Sequence, residues 1–190
     1  IGDVYSHADH DLPDADKRIA QEYTQKIFDL EGISKRAGDE FTGRGNSAYI
    51  AGLAYYAHTS DLRPDDMSKP ATLGKQTLST YWVDVRENQT LVPRGENQYW
   101  LAAKYGGFRV PAGFDPLGTG ALPESTWHAT SDYLRSGSNG DVTSAVTNYP
   151  RADNFYVASD AERMVASLRE AFRNIVASAV GSGSGFASSS

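Results

Sequence analysis

The side chains best suited to chemistry lie at the start of this 190-residue chain. Aspartates and histidines stand close together there, at Asp3, His7, Asp9, His10, Asp11, Asp14 and Asp16. Carboxylates and imidazoles can hold a divalent cation, and this oxygen-rich set would favour calcium over zinc. A calcium loop also needs a glycine at its turn, and this run lacks one. The favoured interpretation is therefore a solvated loop whose last acids stabilise the N-terminus of the following helix.

Two other motifs with chemical meaning fail on their own residues. The stretch LGKQT is similar to a phosphate-binding loop, but Gln76 follows Lys75, and Lys69 occupies the earlier glycine position. The stretch GSGSG has Gly183 where a nucleophile elbow needs its serine.

Composition excludes several classes of function. The chain has no cysteine, which removes disulfides, cysteine-ligated zinc and thiol nucleophiles. The net charge of −6 argues against a nucleic-acid surface, and the only basic clusters are Lys17-Arg18 and Lys35-Arg36. Apolar residues make up 39% of the chain, a globular composition. No stretch approaches the roughly 20 apolar residues of a membrane span.

Aromatic residues cluster in the middle of the chain and admit two interpretations. They could form a sugar-binding face or belong to the core. Core packing is favoured because they fall on predicted helices and a strand. The residues concerned are Tyr55, Tyr56, Tyr81, Trp82, Tyr99 and Trp100.

Hydrophobic spacing predicts two helices in the first third of the chain. One spans residues 15–30 and ends at Gly32. The next lies in SAYIAGLAYYAHTSDL, where Ser47 or Asn46 would cap the N-terminus. Its predicted buried face comprises Ile50, Leu53, Ala54 and Ala57.

The remainder predicts alternating strands and helices. The apolar, β-branched segment 77–85 is typical of a buried parallel strand. A helix over 97–105, a strand over 154–159 and a final helix follow. In the final helix, Ser159 and Glu162 form a predicted capping box. The predicted core stripe of that helix is Ala161, Val165, Leu168, Phe172, Ile175 and Val176.

This order indicates an α/β fold with a mostly parallel sheet. Two strands cannot cover several amphipathic helices, so we expect further strands on the N-terminal side of this chain. Residues 109–153 are rich in Gly, Pro, Ser, Thr and Asn, which predicts a long loop insertion. Residues 181–190 read as a flexible linker or tail.

Several quoted strings together resemble known proteins. YWLAAKYGGF and NFYVASDAERMVASLREAFRNIV are similar to the closing third of a von Willebrand factor A-type domain. YIAGLAYYAHTSDLRPD, GKQTLSTYWVDV and NQYWLAAKYGGF resemble the PilY/PilC-type tip adhesins of bacterial type IV pili. The resemblance covers residues 45–108 and 154–178.

The resemblance implies a fold and a function. Residues 1–180 would be the C-terminal part of a three-layer, Rossmann-like A-type sandwich, followed by a linker toward a further domain. The protein would be a non-enzymatic adhesion and pilus-biogenesis module, extracellular at the pilus tip or outer cell surface. Its loops, above all 109–153, would meet minor pilins or the pilus tip complex, and host or abiotic surfaces.

The metal site of A-type domains has no counterpart in the sequence. Those domains bind a divalent cation, Mg or Ca, through an Asp-x-Ser-x-Ser loop, which does not occur here. We therefore assign no catalytic, cofactor-binding or metal residue in this chain and expect any cation only in a complete domain. The alternative is a metal-dependent binding domain or hydrolase that uses His7, Asp9 and His10.

Overall fold

The computed structural model describes residues 14–41, 46–85, 97–134, 142–143, 149–158 and 161–182. Four α-helices and five short strands occur in these ranges, together with 3-10 turns at Pro70–Thr72 and Glu124–Thr126. In chain order they are α1 (Asp14–Glu31), α2 (Tyr49–Thr59), β1 (Trp82–Val85), α3 (Gln98–Tyr105), β2 (Tyr133–Leu134), β3 (Val142–Thr143), β4 (Tyr149–Pro150), β5 (Phe155–Ala158) and α4 (Ala161–Ser182).

The centre of the fold is a parallel pair formed by β1 and β5, in which Trp82 is opposite Phe155 and Val85 is opposite Ala158. Phe155 and Val157 face the main core with α1, α2 and α3. Tyr156 points the other way and its hydroxyl accepts a hydrogen bond from Nδ2 of Asn174 on α4. The described strands therefore lie between α3 and α4, in three layers. A separate antiparallel set joins β3, β2 and β4.

Helices α1 and α2 pack closely because α2 has a glycine at their crossing. A Cβ atom at Gly52 would lie 2.6 Å from the backbone nitrogen of Thr24 and 2.8 Å from the carbonyl oxygen of Ala20. The rings of Tyr23 and Tyr55 meet edge to face beside this contact, with centroids 5.5 Å apart. A fully buried core follows, which includes Ile27, Phe28, Phe41, Trp100 and Leu101.

Gly106 and Gly107 end α3 where its backbone approaches the entrances of both central strands. A Cβ atom at Gly106 would lie 2.7 Å from the carbonyl oxygen of Ala102, and one at Gly107 would overlap the side-chain amide of Asn154. Thr80 N–H donates to the Gly106 carbonyl at 2.7 Å. Asn154 Nδ2 donates to the Thr80 carbonyl at 3.0 Å. Close approach, rather than a left-handed backbone, therefore requires these two glycines.

Several predicted elements are confirmed. Helix α1 spans the predicted segment, and Gly32 follows it with a φ of 66°. Helix α3 begins after Asn97, whose Oδ1 accepts the N–H groups of Tyr99 and Trp100 at 3.1 and 3.0 Å. Strand β5 is buried along its length, as expected for a parallel strand with helices on both faces.

Other predictions are wrong in detail. The strand expected at 77–85 is reduced to Trp82–Val85 and is only half buried, since β5 is its sole partner in the described part. Helix α2 buries Ala54 as predicted, but it also buries Ala51 and Tyr55 and exposes Leu53, because its contact with α1 is centred on Gly52. Ala48 is the residue before the first turn of α2, and the Ser47 hydroxyl accepts the Tyr49 N–H at 3.4 Å.

The last helix departs most from expectation. Its predicted core stripe is exposed at Val165, Leu168, Phe172, Ile175 and Val176. Ala171 instead faces the sheet and is buried, and the helix continues through Gly181 to Ser182. The described part of the sheet has two strands, and these contact only one face of α4. The capping residue Ser159 and the tail from 183 onward lie outside the described residues.

We expect Gly107→Ala to lower the free energy of unfolding by about 1–3 kcal/mol, because the added methyl group overlaps the Asn154 amide. Gly120→Ala is the matched control, since nothing lies within 4 Å of a Cβ atom there. Urea unfolding followed by circular dichroism measures both variants. Equal midpoints for the two would contradict the close approach at Gly107.

Candidate functional surface

The segment 109–153 is the part of the chain that we expected to meet a partner, and the structure shows how it is held. It is not a loop throughout: β2, β3 and β4 lie in it. Leu122, Trp127, Leu134 and Ala152 contribute to the main core cluster. The segment is therefore anchored by apolar burial, and two polar clusters complete its attachment.

Arg151 forms the first polar cluster, which ties the segment to the sheet and to α4. Its side chain is 3% exposed. The Nη1 group donates to the Phe155 carbonyl at 2.9 Å, and Nη2 donates to Asp132 Oδ2 at 2.8 Å and to Glu170 Oε1 at 3.3 Å. The guanidinium also lies 5.3 Å from the centroid of the Tyr156 ring. One buried cation thus joins the insertion, β5 and α4.

Asp153 holds the turn next to this arginine. Its carboxylate accepts the backbone N–H groups of Ala129 and Thr130 at 2.9 and 3.1 Å, and the Thr130 hydroxyl at 3.0 Å. Ser131 follows with a φ of 59°, in the left-handed region that non-glycine residues seldom adopt. Asp153 holds Ala129 and Thr130 before Ser131, and Arg151 binds Asp132 after it. The turn is thus fixed on both sides, which makes its unusual backbone tolerable.

The second polar cluster surrounds Lys104 on α3. Its Nζ lies 2.5 Å from Glu31 Oε1, and the Tyr105 hydroxyl donates to the same oxygen at 2.8 Å. The ammonium also lies 3.9 Å from the centroid of the Trp127 ring. The side chains of Lys104 and Glu31 are 8% and 7% exposed, so the pair is buried. This cluster fixes the end of α1, helix α3 and the insertion to one another.

An outer loop, residues 111–121, is the most exposed part of the described insertion. The Tyr55 hydroxyl donates to the Pro116 carbonyl at 2.8 Å, and the Phe114 ring packs against Phe108 at 5.3 Å between centroids. Leu117 at the outside of the loop is 40% exposed. The outer loop is consequently presented to solvent from a fixed base.

Burial around the base of the outer loop raises the pKa of the Tyr55 hydroxyl, and the nearby Tyr23 and Asp115 raise it further. The neutral hydroxyl is the form that donates to the Pro116 carbonyl. The hydrogen bond that attaches the outer loop therefore requires the protonated form of this tyrosine.

The two histidines of the described part, His58 and His128, lie against backbone carbonyl oxygens. His58 places Nδ1 2.8 Å from the Leu78 carbonyl oxygen and Nε2 2.7 Å from the Phe108 carbonyl oxygen. His128 Nδ1 lies 2.9 Å from the carbonyl oxygen of Arg151. Both rings thus link backbone segments across the core.

A shallow cavity of about 730 Å³ lies between α1 and the loop that follows it. The two basic pairs of the sequence meet here, since Arg18 and Arg36 both line it. Glu22 and Asp39 line it as well, so the charges at the cavity are balanced. Nothing in this mixture selects one class of ligand.

The structure does not test the candidate metal site at the start of the chain. Asp3, His7, Asp9, His10 and Asp11 lie outside the described residues, so the alternative site that they would form stays a prediction. Within the described ranges, no group of three or more His, Asp and Glu side chains is placed to hold a metal ion.

Two of the clustered aromatics, Tyr55 and Trp100, are fully buried, as the core interpretation predicts. Trp82 and Tyr99 are half-buried and stack on each other with centroids 4.0 Å apart.

Sequence reasoning missed both polar clusters. The sequence analysis assigned no role to Arg151 or Lys104, because their carboxylate partners are far away in the chain. The one available signal was that each lies beside apolar residues: Lys104 within LAAKYGGF and Arg151 directly after a proline.

The described helices, α1 to α4, lack the length or the apolar content of a transmembrane segment.

Comparison with known proteins gives one relative. The whole chain aligns with a type IV pilus biogenesis factor PilY1 homolog of Xylella fastidiosa (strain Temecula1 / ATCC 700964), with 44% identity over 226 residues. The chain spans 17% of that relative's length. No family model matches the chain. No solved structure matches it either.

We expect Arg151→Met to lower the free energy of unfolding by about 2–4 kcal/mol and to speed amide exchange in 127–134, because the buried Phe155 carbonyl loses its donor. Arg109→Met is the control, since Arg109 is exposed and makes one long contact to the Ser125 carbonyl. Hydrogen exchange with mass spectrometry measures both. Unchanged exchange in 127–134 would show that Arg151 does not hold the segment.

We expect the chain to lose stability in alkali through Tyr55. Because its folded pKa is raised, its contribution is complete below the ordinary tyrosine value of about 10 and declines as the pH rises from there toward the folded pKa. Thermal melts between pH 8 and 11 should show a shallower decline for Tyr55→Phe than for the parent chain. Tyr99→Phe, which keeps the ring stacked on Trp82, should retain the parent slope.

Proposed function

Because the chain is similar over its whole length to part of a type IV pilus biogenesis factor, we propose that it is a segment of a pilus biogenesis factor of the PilY1 kind. The observation that carries this proposal is the 44% identity in an alignment that covers the whole chain. The alignment covers the whole chain, so it includes the insertion as well as the helices and strands.

The proposed role is non-enzymatic. The buried polar side chains described above bind backbone groups or one another: Arg151 binds the Phe155 carbonyl, Lys104 binds Glu31, and His58 faces two carbonyl oxygens. Such groups stabilise a scaffold. A scaffold with a rigidly based outer loop suits presentation of a contact surface.

We further propose adhesion as part of this role. The protein would be extracellular, at the pilus tip or outer cell surface, and the outer loop 111–121 would meet minor pilins or the tip complex, and host or abiotic surfaces. Support comes from its combination of exposure and attachment: Leu117 is exposed while Tyr55 and Phe114 hold the base of the loop.

The fold proposal is a part of a von Willebrand factor A-like domain. It is supported by the parallel pairing of β1 with β5, the helix between them in sequence, and the layers on both faces. Such a domain would need further strands and would hold its Mg or Ca through residues other than the described ones.

The biogenesis role is tested in the full-length protein of a piliated bacterium. We expect Trp100→Asp, which places a charge in a fully buried site, to reduce surface pili and twitching. Leu53→Asp is the matched control, because Leu53 is exposed on α2. Sheared pilin and twitching zones are measured at equal levels of the full-length protein. Normal piliation with Trp100→Asp would contradict the biogenesis role.

The adhesive role is tested separately at the outer loop. Leu117→Asp should leave piliation unchanged and lower attachment to glass and to host cells several-fold, because it alters the exposed loop and leaves the core intact. Met67→Asp is the control, since Met67 is an exposed apolar residue elsewhere on the surface. Full attachment by the Leu117→Asp strain would contradict adhesion through this loop.

A further inference from the structure

His58, near the C-terminal end of α2, connects that helix to two other segments through both nitrogens of its ring. Nδ1 lies 2.8 Å from the Leu78 carbonyl oxygen, and Nε2 lies 2.7 Å from the Phe108 carbonyl oxygen. The residue is 9% exposed. Both distances fall in the range of hydrogen bonds from charged donors, about 2.7–2.9 Å. The ring is therefore a buried bridge between the segment that leads into β1 and the segment that begins the insertion.

Both neighbours of the ring can only accept hydrogen bonds, and this decides how many protons the ring needs. A neutral imidazole has one N–H group and one nitrogen with a lone pair, whereas the imidazolium has two N–H groups. In a neutral ring, a lone pair would face a carbonyl oxygen at 2.7 or 2.8 Å, and that carbonyl would lose its His58 donor. Only the doubly protonated ring satisfies both contacts.

The titratable side chains next to His58 along the chain are engaged with other groups. On α2 these are Tyr55 and Tyr56, whose rings both pack against Tyr23. Beyond the helix, the Asp61 carboxylate accepts backbone N–H groups of the loop that it begins. These side chains therefore do not explain the short contacts at both ring nitrogens.

The other two segments also bring no carboxylate to the ring. The Phe108 ring meets the imidazole edge to face, with centroids 5.3 Å apart. Arg109, the next residue, directs its guanidinium to the Ser125 carbonyl. None of the ion pairs between described residues includes His58. Burial alone would disfavour a charged ring, so the two carbonyl dipoles are what favours the second proton.

The contact with Phe108 bears on the outer loop, because Phe108 stands at its base. The Phe108 ring packs against Phe114 within the outer loop. The next backbone N–H, that of Arg109, donates to the Thr126 carbonyl at 2.7 Å. A bond from α2 to the Phe108 carbonyl thus restrains the backbone from which the outer loop departs.

We propose that His58 is a pH-sensitive link: its imidazolium holds α2, the segment before β1 and the base of the insertion together, and loss of one ring proton releases one of the two bonds. Because the folded chain favours the doubly protonated ring, the link is complete at low pH and is lost as the pH rises and the ring titrates. The outer loop is then held less firmly. This inference stands on the geometry alone; only its use outside the cell rests on the proposed function.

The first test measures the proton on the ring in the full-length protein. Exchange of the imidazole C2 hydrogen for deuterium, read by mass spectrometry, follows the loss of the ring proton as the pH rises. Profiles from about pH 5 to 9 are recorded for the folded protein and for the same protein in guanidinium chloride. We expect the His58 profile of the folded protein to be displaced to higher pH. An identical profile, or one displaced to lower pH, would overturn the proposal.

The second test measures whether this proton acts on the base of the insertion. After correction for the intrinsic effect of pH, amide exchange in 78–82 and 106–114 should be several-fold faster at about pH 8.5 than at about pH 5.5. His58→Gln should remove this dependence, because the glutamine amide does not titrate in the range. His128→Gln is the matched control and should keep it, since the His128 ring faces one carbonyl oxygen, that of Arg151.

Two results of the second test contradict the link. One is amide exchange in the parent protein that does not change with pH in either segment, and the other is a pH dependence that persists in His58→Gln. A His58→Gln protein that fails to fold is recognised by rapid exchange throughout α1, and the two parent measurements then decide. None of these readouts depends on piliation or attachment, so failure of the link and failure of the proposed function are distinguishable.

Discussion

The described fold depends on one close approach, between the end of α3 and the entrances of β1 and β5. Gly106 and Gly107 bring the backbone against Thr80 and Asn154, where a side chain would collide. Asn154 then makes two hydrogen bonds to the segment that enters β1: its carbonyl accepts the Trp82 N–H at 2.9 Å, and its side-chain amide donates to the Thr80 carbonyl. The register of two four-residue strands, too short to fix themselves, is set at this point.

A segment that looks like an insertion can still be part of the core. Residues 109–153 contribute Trp127 and Leu134 to the interior, and their attachment is reinforced by Arg151 and by the Lys104 ammonium beneath the Trp127 ring. The outer loop is therefore a small exposed portion of a well-packed segment. Removing the whole insertion would open the core, whereas altering its outer loop would not.

Sequence periodicity predicted the elements better than their burial. Helices α1 and α3 and strand β5 were found because caps, stops and apolar runs are local signals, such as Asn97 and Gly32. The buried face of α2 was found only in part: Ala54 is buried as predicted, but the contact with α1 is centred on Gly52, which has no side chain to count. Arg151 could not have been assigned, since its carboxylate partners come from two separate parts of the chain, Asp132 before β2 and Glu170 on α4. The stripe of α4 was found correctly as apolar, but periodicity cannot say which neighbour covers it.

The pairing of residue 82 with residue 155 also constrains the order of events in folding. Strand β1 is complete long before its partner emerges during synthesis, so the sheet is a late, nonlocal contact that pays a large loop-closure entropy. Helices α1, α2 and α3 can associate earlier through neighbouring contacts. Until β5 arrives, β1 presents an unpaired edge, the feature that invites strand exchange between chains. A chain synthesised slowly would remain in this vulnerable state longest, which makes the time at which residues 154–182 become available a determinant of its folding yield.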